Sequence, residues 1–105
     1  MTALIYCPFP DEEAALVAGR KLVEEGLIGC INVGGTIRSL FAWDGAIGEG
    51  TEVAAIMKTD KALLASAIAR LEGLHPYDVP AILGWHCDAA GSATHAWLGG
   101  IDPAG

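Results

Sequence analysis

Asp44-Gly45 divides two long runs of strand-forming residues, and this arrangement limits the chain more than any other feature. Leu27 to Trp43 is rich in β-branched and aromatic residues and predicts one long strand. Ala46 to Thr59 predicts its return strand, and an Asp-Gly pair between two such runs is a strong hairpin signal. Within the return strand Val53, Ala55 and Met57 share one face, while Glu52, Ile56 and Lys58 share the other. Gly34-Gly35 predicts a bulge or bend in the first run. Strands this long exceed what a sandwich of 105 residues can cover, so they are expected to pair or pack with another subunit.

The remaining elements follow from short signals. Thr2 to Cys7 reads as a buried strand stopped by Pro8 and Pro10. Asp11, Glu12 and Glu13 crowd a helix start, where acids suit the positive end of the dipole. Ala15, Ala18, Leu22 and Val23 give that helix one apolar face, and Gly26 is its stop. Asp60 is read as the N-cap of a second helix with Leu64, Ile68 and Leu71 as its buried stripe. His75-Pro76 ends it, since a residue before proline disfavours helix. Pro80 to Cys87 is read as a fourth strand, and Ser92 to Leu98 as a short terminal helix closed by Gly99-Gly100. The order β-α-β-β-α-β-α is that of an α+β, ferredoxin-like βαββαβ sandwich with a short C-terminal helix, one domain over residues 1–105.

Composition narrows the function. A hydrophobic share of 52% against 18% charged is apolar for so short a chain, and a subunit interface is the usual destination for such surface. The net charge of −7 leaves no basic stripe for phosphates, which argues against nucleic-acid partners. No apolar run reaches the ~20 residues that span a bilayer, and no basic, apolar leader precedes Asp11. Three widely spaced cysteines fit reduced thiols rather than a disulfide framework, so the expected location is cytoplasmic. No GxxxxGK, GxGxxG, HExxH, GxSxG or CxxC pattern is present, and so no standard cofactor is specified.

Few residues carry candidate chemistry, and each has a plainer reading. Cys7 ends the first strand near a helix N-terminus, where a thiol can ionise more easily and ligate soft metals; it also reads as a small buried apolar residue. His75 suits copper or zinc, or simply a favourable helix end. The end of the first strand and the loop of His75 need not be neighbours within one subunit, and a subunit boundary is where the two are candidates to meet. His86 and Cys87 point to opposite faces, Cys30 reads as core and His95 as surface. Lys58 sits among apolar residues and needs a cross-strand or intersubunit partner, or guards an edge strand.

Taken together, Cys7-Pro8-Phe9-Pro10-Asp11-Glu12, Leu27-Ile28-Gly29-Cys30-Ile31-Asn32, Ser39 to Gly45, Glu52-Val53, Met57-Lys58-Thr59, His75-Pro76-Tyr77-Asp78-Val79-Pro80 and Trp97-Leu98 resemble the CutA divalent-ion tolerance family. The likeness spans nearly the whole chain. It implies a PII-like homotrimer closed by extended hairpin strands, and binding of copper or another divalent cation with Cys7 and His75 in the matching positions. It also implies an intersubunit cleft lined by Trp43, Glu52, Lys58 and Tyr77. One departure bears on the metal. Members often carry an acid directly after the proline that closes the His-Pro-Tyr segment, and here that position is Ala81. Phe41 likewise stands where a tyrosine is common.

Three function classes follow from these readings. The first is a non-enzymatic cation-binding trimer that contributes to metal tolerance. The second is a PII-like sensor of a small ligand, or a scaffold, using the cleft. The third, a Cys7 nucleophile with a His75 base, lacks the third, orienting group that such pairs use, so the chain is expected not to be an enzyme.

Overall fold

The structure, a computed structural model, describes residues 1–103 and leaves the last two positions of the expected domain outside the described residues. Its elements are β1 (Thr2–Phe9), α1 (Glu12–Glu24), β2 (Cys30–Trp43), β3 (Ala46–Asp60), α2 (Leu64–Leu74), β4 (Leu83–His86) and α3 (Ser92–Gly99). They form one antiparallel sheet in the order β2-β3-β1-β4. This is the α+β, ferredoxin-like arrangement that the element order predicts.

The hairpin forms where Asp44-Gly45 places it. Asp44 at φ 52 and Gly45 at φ 77 both lie in the left-handed region, which suits the tight turns whose twist matches paired strands. From Trp43↔Ala46 the ladder runs to Thr36↔Val53, then resumes at Val33↔Ala55. The shift falls on Gly34-Gly35, the expected bulge. β2 and β3 outrun β1, and the molecule is correspondingly long, 43 × 27 × 23 Å.

The helices cover one face of the sheet. Ala3, Ile5, Cys7 and Phe9 of β1 and Ala55, Met57 and Thr59 of β3 point into that layer. Ala15, Ala18 and Leu22 of α1 meet them, with Ala67 and Leu71 of α2 and Leu98 of α3. Burying a Phe, Ile, Leu or Met side chain is worth about 1.5–3 kcal/mol each. Val23, expected on the α1 stripe, is instead largely exposed. Gly84 of β4 faces α2 so closely that a Cβ there would meet Leu64 and Ile68 at 2.9 Å.

Among the described residues no helix covers the opposite face. Strand pairing sets Lys58, Leu4 and Trp85 in one row across it and Ile56, Tyr6 and Leu83 in the next. Leu83 and Trp85 are 63% and 44% exposed there, as is Ile56 at 38%. Cys30 belongs to this face, half-buried beside Lys58, with its thiol 3.6 Å from Asn32 Oδ1, and is not core. Lys58 lies on an interior strand, between β2 and β1, so the edge-guard reading fails. Among the described residues no acid lies within ion-pair reach of it.

Several boundaries differ from expectation. Asp11, expected only as one of three acids at the helix start, caps α1 by accepting from the Ala14 amide at 2.8 Å. Asp60 instead caps a turn, accepting from the Ala62 amide at 2.9 Å, and α2 begins only at Leu64. β1 runs through Pro8 to Phe9, because β4 stops opposite Tyr6 and needs no donor from the proline. β4 itself is four residues, not eight, since Pro80 cannot donate and the chain before Leu83 turns away. Among the described residues no helix is long and apolar enough to cross a membrane.

Candidate functional site

The end of β1 brings three segments together. Alternation along β1 turns Cys7 and Phe9 toward the helices, while α2 ends at His75 with extended backbone, φ −74 and ψ 139. Pro76 forbids another helical turn and sends Tyr77 back over the sheet. The His75 ring stacks on Phe9, with centroids 4.5 Å apart and planes 17° off parallel, and tilts against Tyr77 at 4.8 Å. The Tyr77 hydroxyl donates to Glu52 Oε2 of β3 at 3.0 Å.

Cys7 and His75 are thus neighbours inside one subunit, but both are turned to the same carbonyl. His75 Nε2 lies 2.8 Å from the Pro8 oxygen, and the Cys7 thiol lies 3.5 Å from it. A carbonyl oxygen only accepts, so Nε2 carries the proton. The Tyr77 amide donates to His75 Nδ1 at 3.1 Å, so Nδ1 supplies the lone pair. Both ring nitrogens are used.

The thiol is equally unprepared to ligate. Burial, and then the Glu52 carboxylate, push the Cys7 thiol up to about 12. A metal needs thiolate and an imidazole nitrogen with a free lone pair. Cys7 and His75 offer neither in this arrangement, and among the described residues no three His, Cys, Asp or Glu side chains gather where they could share one ion. The pair does not fit a metal as it stands. Nor is it arranged as a nucleophile and base, which needs a lowered thiol and a ring nitrogen facing it. The expectation that the helix N-terminus would ease Cys7 ionisation fails because desolvation dominates.

The four expected cleft residues do not converge within one subunit. Glu52 and Tyr77 are joined. Trp43 sits at the hairpin tip, 61% exposed, and Lys58 lies toward the other end of β3. Each is six residues from Glu52 or further along the hairpin, about 20 Å of strand. Ala81 brings no oxygen donor. Sequence reasoning missed Phe9 and the Pro8 carbonyl, although the alternation Ala3, Ile5, Cys7, Phe9 continues straight through Pro8 and marks the ring as buried.

Comparison with known proteins settles the family. The family profile described as CutA1 divalent ion tolerance protein matches residues 3–100. The chain belongs to the CutA1 family. It is 39% identical over 95 residues to the divalent-cation tolerance protein CutA of Pyrococcus horikoshii, covering 90% of this chain and 92% of that one. It is 47% identical over 79 residues to the Thermotoga maritima protein of the same name, covering 75% and 77%. The crystal structure of CutA from Xylella fastidiosa superposes with a TM-score of 0.91 at 29% identity, over 96% of this chain and 98% of that one. CutA1 membership makes divalent-cation tolerance the coarse functional setting of the chain.

Proposed function

We propose that the chain works as a homotrimer that binds divalent cations, copper among them, in clefts between subunits, and that it does so without catalysing a reaction. The observation that carries this reading is Glu52. Its carboxylate accepts one hydrogen bond, from Tyr77, and no Lys or Arg of the described residues pairs with it. A carboxylate oxygen that neither this hydrogen bond nor an ion pair occupies is a hard donor for a cation. Alone it does not complete a site, so the remaining ligands come from a neighbouring subunit, whose hairpin tip would carry Trp43 into the same cleft.

The bare sheet face supports the assembly. Leu4, Tyr6, Ile56, Leu83 and Trp85 form an apolar surface of a kind that monomers seldom leave open. The three free cysteines suit a reducing, cytoplasmic setting.

Native mass spectrometry with Cu(II) and without added reductant tests the proposal. A trimer that gains up to three copper ions, and loses them in Glu52→Gln, is the expected result. A stable monomer refutes the assembly. A trimer that takes up no copper refutes the cation site, and the clefts would then be screened for a small-molecule ligand by thermal shift, as expected of a PII-like sensor.

A further inference from the structure

β4 pairs with β1 only from Ala3 to Tyr6. Among the described residues no strand lies beside that edge of β1 beyond Tyr6. Pro8 lies in this stretch, and its carbonyl receives the weak S–H donor of Cys7 at 3.5 Å; a buried acceptor left short of strong partners is costly. The segment before β4 holds Pro76 and Pro80, which have no amide proton to offer. A side chain fills the gap. His75 Nε2–H reaches the Pro8 oxygen at 2.8 Å, and Nδ1 takes the Tyr77 amide at 3.1 Å. The same ring stacks on Phe9 at 4.5 Å.

We propose that His75 is a clasp rather than a cation ligand: its neutral Nε2–H tautomer replaces the missing strand at the edge of β1 and so positions Tyr77 against Glu52. The clasp needs both ring nitrogens at once, one as donor and one as acceptor. A cation on either nitrogen would break one of the two bonds and release Tyr77 from β3. His75 therefore acts on the cleft through Tyr77, and cation uptake does not require its lone pair.

The clasp stands apart from the cation proposal and is tested on the wild-type protein first. Nitrogen-15 spectra of the histidine ring above neutral pH should show the Nε2–H tautomer with Nδ1 as hydrogen-bond acceptor. Both signals should stay in place when Zn(II), or Cu(I) under reductant, is added to excess. A Nδ1–H tautomer, or a ring-nitrogen shift on metal addition, overturns the clasp. His75→Ala should speed exchange of the Tyr77 amide about tenfold or more. It should also lower the pH at which the Tyr77 phenol ionises, a spectroscopic change that a general loss of packing far from Tyr77 would not cause. His75→Gln, which keeps a donor toward Pro8, should take up as much metal as the wild type. Loss of uptake in a folded His75→Gln protein overturns the clasp. Failure of the wild type to bind any ion overturns only the cation site, because the tautomer and exchange results still decide the clasp.

Discussion

The Tyr77 hydroxyl donates to the Glu52 carboxylate at 3.0 Å and ties the loop after α2 to the middle of β3. Burial first, and that hydrogen bond second, push the phenol from 10.0 up to about 12. Tyr77→Phe should remove the latest part of the tyrosine ultraviolet titration, and Glu52→Gln should move it to lower pH. A late phase that stays at the same pH in Glu52→Gln would mean that the pair does not exist in solution.

Cys7 leads to a related expectation with its own sign. Its thiol rises from 9.0 to about 12 on folding, so the folded state holds its proton longer than the unfolded chain does. Stability from this group is fully present below pH 9.0 and is lost as pH rises toward about 12. Cys7→Ala should flatten the alkaline fall in denaturant midpoint, leaving the part due to Tyr77. Near neutral pH, Cys7 of the native protein should resist alkylation until denaturant is added; rapid labelling would contradict the buried, protonated thiol.

Gly84 is where β4 lets α2 approach. A Cβ would meet the δ-methyls of Leu64 and Ile68 at 2.9 Å, so Gly84→Val must turn those side chains out of their packing or move α2. We expect a loss of about 1–3 kcal/mol, measured by chemical denaturation. A neutral substitution would show that α2 packs more loosely than described.

The bare sheet face should hold the subunits together. Ile56→Asp or Leu83→Asp places a charge among Leu4, Tyr6 and Trp85. Sedimentation should then show monomers that retain the wild-type circular dichroism. Trimers that persist in both variants would locate the interface elsewhere.

Local signals were legible wherever one residue decides a local geometry. Asp44-Gly45 set the hairpin, Asp11 the start of α1 and His75-Pro76 the end of α2. Gly34-Gly35 marked the bulge to the residue. The reading weakened where tertiary pairing decides. Pro8 looked like a strand stop, yet β1 passes through it because the neighbouring strand has already ended. Cys30 looked like core because its apolar neighbours hid which face it takes across from Lys58. Cys7 and His75 were identifiable as a pair, but their chemistry was not. That depends on one carbonyl oxygen, which no side-chain pattern reveals.

The Pro8 to His75 bond spans 67 positions of sequence, while the hairpin closes through a two-residue turn. Closing a long loop costs more chain entropy than closing a short one, so distant contacts tend to arrive late in folding. The site at the end of β1 should therefore be among the last parts to assemble. Mutations at His75 would then accelerate unfolding and leave the folding rate almost untouched, whereas changes beside Asp44 would slow folding. A nascent or partly unfolded chain would expose Cys7, which the folded core buries, and protection of that thiol would report that the fold is complete.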